Sequence, residues 1–164
     1  MVRSFLPFFS LLIPHSATWI TSLSLVLTLW MGLATVTQAQ VTVWRRTIGG
    51  TYDDLARAVT TTPDGGYVVA GGSFSTDGDV SGARGFGDFW VVKLNSSGNL
   101  VWQKTLGGTR SEEARAITTT ADGGFLVAGS TLSEDGDVKG YHGSKYQDDV
   151  WVVKLDCFGN LIWQ

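Results

Sequence analysis

Cysteine is almost missing from this chain. Cys157 is the single one in 164 residues, so no internal disulfide staples the fold. No histidine stands near it in the sequence, so it reads as a free thiol in a turn rather than a nucleophile. A disulfide to a second chain stays open. Histidine is limited to His15 and His142, too few for a metal cluster or a catalytic triad. Basic residues are outnumbered, 12 against 15 acids, for a net charge of -3. Phosphate binding needs clustered Lys and Arg, so no nucleic-acid partner is expected. No Gly-x-Ser-x-Gly, phosphate loop or repeated carboxylate pair occurs, so no catalytic residue is assigned and an enzyme is not expected.

Acids are also missing from the whole of residues 1–40. There Arg3 precedes two apolar stretches, Phe5–Ile13 and Ile20–Leu33, broken by Pro14-His15-Ser16. The second stretch suits the apolar region of a signal peptide and is short for a membrane span. Thr37 and Ala39 are the small residues that cleavage between Ala39 and Gln40 requires. Residues 1–39 therefore read as a signal peptide, and the remainder as secreted or displayed on the cell surface. An uncleaved signal anchor is the alternative. No Cys lies near the cut to carry a lipid.

What the chain does have is glycine, 21 residues against 3 prolines, and an internal repeat. Trp44-Arg-Arg-Thr-Ile-Gly-Gly-Thr51 aligns with Trp102-Gln-Lys-Thr-Leu-Gly-Gly-Thr109. In the same register Ala56-Arg-Ala matches Ala114-Arg-Ala, Asp64-Gly-Gly matches Asp122-Gly-Gly, and Asp77-Gly-Asp-Val80 matches Asp135-Gly-Asp-Val138. A short insertion near Ser144-Lys145-Tyr146 shifts the register. Trp90-Val-Val-Lys-Leu94 then matches Trp151-Val-Val-Lys-Leu155. A fixed period of this kind marks stacked supersecondary units. Residues 40–164 thus divide into two repeats, about 41–101 and 102–164.

Each repeat holds four strand candidates, in the first Ala56–Thr62, Tyr67–Gly72, Asp88–Leu94 and Asn99–Leu106. Val, Thr and aromatic residues dominate them. Pro63-Asp-Gly-Gly66 and Ser96-Ser-Gly-Asn99 are hairpin turns. Val41–Ile48 reads as a further strand of the fourth type, with no repeat before it. Tyr67–Ala70 and Phe89–Val92 are apolar without clean alternation, so these sheets need cover on both faces. Sheets packed against copies of themselves supply that cover, as in a β-propeller. A sandwich buries two faces too, but it does not require near-identical halves. A parallel β-helix has shorter coils.

The ordered strings Gly-Gly, Asp-Gly-Gly and Trp-Val-Val-Lys-Leu resemble the propeller-type repeats of secreted and cell-surface proteins of Bacteroidetes-like bacteria. The resemblance covers nearly all of 41–164. It implies an all-β fold of tandem four-stranded antiparallel blades. Two blades make an incomplete propeller, since closed ones use roughly four to eight. It also implies a non-enzymatic module that binds a protein or glycan, or spaces another domain from the cell. The alternative is the propeller portion of a secreted enzyme whose catalytic domain lies elsewhere. The expected partners are further blades in a longer chain, or self-association that makes 41–164 oligomeric or poorly soluble alone.

Four aspartates are the candidate calcium ligands, Asp77 and Asp79 in the first repeat and Asp135 and Asp137 in the second. Paired carboxylates on a Gly loop suit a hard cation, with Asp88 and Asp149 as further oxygens. The competing reading is that they cap turns, and an EF-hand pattern is missing. Arg57 and Arg115 repeat and are expected to pair with an acid such as Asp54 or Glu112. Trp44, Trp102 and Trp163, with Trp90 and Trp151, recur at fixed positions and are expected to pack between repeats.

Overall fold

The computed structural model describes residues 44–144 and 146–164. All described residues lie in one compact unit, Thr42–Gln164. The signal-peptide segment 1–39, with the Ala39–Gln40 cut, lies outside the described residues, as do 41–43 of the leading strand.

Among the described residues, eight strands form two four-stranded antiparallel sheets. The first holds β1 (Asp54–Thr61), β2 (Tyr67–Ser73), β3 (Asp88–Leu94) and β4 (Leu100–Leu106), hydrogen-bonded in chain order. The second repeats that order with β5 (Glu112–Thr119), β6 (Phe125–Thr131), β7 (Asp149–Leu155) and β8 (Leu161–Trp163). The turns drive this meander. Gly65 and Gly98 adopt φ of 77° and 76°, a left-handed conformation only glycine takes without strain. In the same turn Asp64 accepts from the Gly66 amide at 3.1 Å, while Asn95 accepts from Ser97 and Asn99. Lys93, nearly buried, reaches from β3 to Asp64 at 2.7 Å. Lys154 does the same to Asp122 at 2.9 Å. This is the role of the Lys in each Trp-Val-Val-Lys-Leu string.

The two sheets share one core. Val68, Ala70, Phe89 and Val91 of the first are buried with Phe125, Val127, Trp151, Val153 and Leu155 of the second. Alternation puts residues 68, 70, 89 and 91 on the face of the first sheet that looks toward the second. Phe89 meets Trp151 with ring centroids 4.7 Å apart, and Trp102 meets Phe125 edge-on at 6.0 Å. This contact buries one face of each sheet. A smaller cluster of Val80, Trp90, Val92 and Leu94 lies on the far face of the first sheet, covered by Ile48 and Leu100.

The expected leading strand is corrected. Residues 44–48 are not in a strand, because no strand among the described residues lies alongside to pair with them. The segment is held instead by side chains. Trp44 donates to the Ser96 carbonyl at 3.0 Å and meets Tyr67 edge-on. Trp44 thus stands to Tyr67 as Trp102 stands to Phe125.

Candidate functional site

The repeated polar residues converge on two places: a Gly-Gly-Thr turn before each sheet, and the junction between sheets.

At the turn, the Asp-Gly-Asp loop closes over the Gly-Gly-Thr segment. Asp77 accepts from the Thr51 amide at 2.8 Å and its hydroxyl at 2.5 Å. Asp135 accepts from Thr109 through the same atoms at 2.8 and 2.9 Å. Asp79 and Asp137 accept from the Gly49 and Gly107 amides at 3.3 and 3.2 Å. The Thr51 hydroxyl and amide hold the Asp77 carboxyl below its ordinary value, and the Thr109 amide and hydroxyl do the same for Asp135. The fit explains the glycines. A Cβ on Gly108 would run into Asp135 and come within 2.5 Å of Ser133 Cβ.

The four candidate calcium ligands are thus engaged by N–H and O–H donors. Their additional candidates are not brought to them. Asp88 accepts from the Arg84 amide at 2.7 Å, and Asp149 from the His142 amide at 2.6 Å. Among the described residues, no three of His, Cys, Asp or Glu come together to hold a metal ion.

The junction is where both arginines act. Each sits at a β-bulge, where the register slips between Ala56 and Ala58 and between Ala114 and Ala116. A bulge leaves its extra residue unpaired and re-aims it. Arg57 reaches across to Glu113 of the second sheet at 2.5 Å, and Arg115 takes the other oxygen of Glu113 at 2.9 Å. The expected partners, Asp54 and Glu112, are corrected. Both face inward and serve the turns. Asp54 accepts from the Gly50 amide at 2.7 Å, and Glu112 from the Gly108 amide at 2.9 Å. Arg84 adds a second cross-repeat pair with Asp137 at 2.6 Å, which raises the guanidinium above its ordinary value.

Beneath Gly107 lies a pair that sequence reasoning missed. Asp88 and Glu112 are both buried. A Cβ on Gly107 would collide with Asp88 Oδ1 and Glu112 Oε2, so both oxygens crowd the space that the missing side chain leaves. Asp88 Oδ1 is buried without a hydrogen-bond partner. Burial pushes the Asp88 carboxyl up and the Glu112 charge adds to it, against amide hydrogen bonds from Arg84 and Gly85 and the Arg84 charge. The signal available was an acid opening the third strand of each repeat, at Asp88 and Asp149.

The tryptophans divide. Trp90 and Trp151 are buried and donate to Gln103 and Gln164 at 3.0 and 2.8 Å. Trp102 is partly buried between the sheets. Trp44 and Trp163 are corrected: they are 36% and 50% exposed, because each lies at an outer face. Cys157 is an exposed free thiol. His142 is exposed, with Asp149 at 3.9 Å.

No family model matches the chain. It is similar to the regulatory protein FlaEY of Caulobacter vibrioides, with 29% identity over 129 residues that cover 74% of this chain. The chain spans about 14% of the length of that curated relative.

Proposed function

We propose that the chain is an exported, non-enzymatic module of β-propeller type, in which each four-stranded sheet is a blade and the two blades are part of a larger ring. On this reading it is secreted or held at the cell surface after cleavage at Ala39–Gln40. It binds a protein or a glycan, or spaces a further domain. One observation carries the reading: the repeated polar residues are used up in holding turns and joining sheets, as the Asp77–Thr51 and Asp135–Thr109 contacts illustrate. Residues that recur for structural reasons leave catalysis to other positions. The similar protein FlaEY carries a regulatory role in its name and no catalytic one. The chain spans only about 14% of that protein's length, which leaves room for further repeats or domains.

The second reading, a propeller portion of a secreted enzyme, also draws on that length difference. Expression of the full chain tests the first. It is expected in the exported fraction with Gln40 as its first residue, inert toward peptide and glycan substrates, and retained on a glycan array or on cell-envelope protein. Material retained in the cytoplasm and beginning at Met1 overturns the export reading. Hydrolysis of any substrate overturns the non-enzymatic one.

A further inference from the structure

We infer that the outer face of the second sheet is a docking surface for a third four-stranded repeat, one that presents an acid to Arg115 and an aromatic ring to Trp163. The inference rests on the propeller reading and names the partner that reading requires.

The junction already in the chain is its template. On the first sheet the residues facing the second are closed off: Val68, Ala70, Phe89 and Val91 are each 0% exposed. Their counterparts on the second sheet are Leu126, Ala128, Val150 and Val152. Leu126, Ala128 and Val152 are half-buried and Val150 is 83% exposed. Trp102 lies over Phe125, whereas its counterpart Trp163 is half exposed, with no ring contact among the described residues. Arg57 crosses to Glu113, whereas its counterpart Arg115 turns back onto the Glu113 of its own strand. The same apolar patch, tryptophan and bulged arginine are therefore presented twice and covered once.

A second copy of this chain fits the surface poorly. Its first sheet offers Leu55 where Glu113 stands in the second repeat, so Arg115 would meet an apolar side chain. Its Tyr67, the counterpart of Phe125, is already covered by its own Trp44. A repeat like the second one supplies both the acid and the ring. The surface departs from its template in one place. Phe86 donates to the Arg110 carbonyl and Gly87 accepts from the Glu112 amide across the existing junction, and the insertion near Ser144–Tyr146 falls at the counterpart loop. The third repeat must accommodate that longer loop.

The test extends the full chain after Gln164 with a further copy of residues 104–164, which continues the fourth strand and restores the Gly-Gly turn. Hydroxyl-radical footprinting then reads individual side chains. Trp163 and Val150 are expected to lose most of their labelling in the extended chain, by severalfold, and Arg115→Ala is expected to restore part of it. Unchanged labelling of Trp163 and Val150, with Phe89 and Trp102 protected, overturns the docking inference alone. Labelling of Phe89 and Trp102 in the unextended chain overturns the sheet packing on which the propeller reading stands. If the unextended chain instead protects Trp163 with rising concentration and sediments as a dimer, the occupant is a second copy and the inference fails.

Discussion

The Asp88 and Glu112 carboxylates, one from each repeat, both turn an oxygen to the place a Cβ on Gly107 would occupy, and both are removed from water. Burial and the Glu112 charge both raise the Asp88 carboxyl above its ordinary value. A proton on Asp88 removes the repulsion and gives Oδ1 the partner it otherwise lacks. The facing groups are Glu112, which opposes ionisation, and Arg84, which favours it while paired with Asp137.

This sets a pH dependence of unusual sign. A carboxyl raised in the folded state binds its proton more tightly there than in the unfolded chain. Its contribution is whole below the ordinary Asp value of about 4, and is lost as pH rises through the folded value. Asp64 and Asp122 act oppositely, since Lys93 with Thr62, and Thr120 with Lys154, hold them below the ordinary range. Their contribution is present above the ordinary value and lost as pH falls through the depressed one. Asp88→Asn keeps an acceptor for the Arg84 amide and removes the buried charge that the Glu112 carboxylate opposes. It is expected to stabilise the protein at pH 7 by about 1–3 kcal/mol, and the gain is expected to shrink toward about pH 4. Denaturant melts of both proteins across that range check it, and a pH-independent difference contradicts it.

Much of the fold was legible because it is local. Gly65 and Gly98 mark their turns, and the strands between them follow from Val, Thr and aromatic content. The partner of Arg57 was not legible. It depends on a bulge that redirects the side chain and on the register of a strand in the other sheet, where Leu55 of one repeat becomes Glu113 of the next. Residues 44–48 misled for a related reason. Their sequence is that of a strand, but strand structure needs a neighbour, and Trp44 anchors the segment by its side chain.

Phe89 and Val150 hold the same position in the two repeats, at 0% and 83% exposure. Phe89→Ala removes a ring packed on Trp151 and is expected to cost about 3–5 kcal/mol. Val150→Ala is expected to stay within about 0.5 kcal/mol. Urea unfolding of each variant measures the contrast, and equal costs contradict the packing described.

Arg57 and Glu113 form an ion pair with the arginine side chain 45% exposed, so solvent screens it. A double-mutant cycle with Arg57→Ala and Glu113→Ala is expected to give a coupling of about 0.2–1 kcal/mol. The coupling is expected to fall as salt is raised. A coupling insensitive to salt shows that the contact is packing of the arginine stem and not charge.

The Asp135–Thr109 latch separates turn capping from metal binding. If the aspartates serve the turn, their oxygens are already satisfied by the Thr109 amide and hydroxyl, and a cation gains little by displacing those donors. Millimolar calcium and EDTA are then expected to leave the melting curve of the wild type unchanged, since only a ligand of the native state raises it. Thr109→Val is expected to lower stability by removing one donor. Gly108→Ala is expected to cost about 1–3 kcal/mol, because its Cβ forces Asp135 and Ser133 apart. A calcium-dependent rise in melting temperature that Asp135→Asn abolishes contradicts the capping role and restores the metal site.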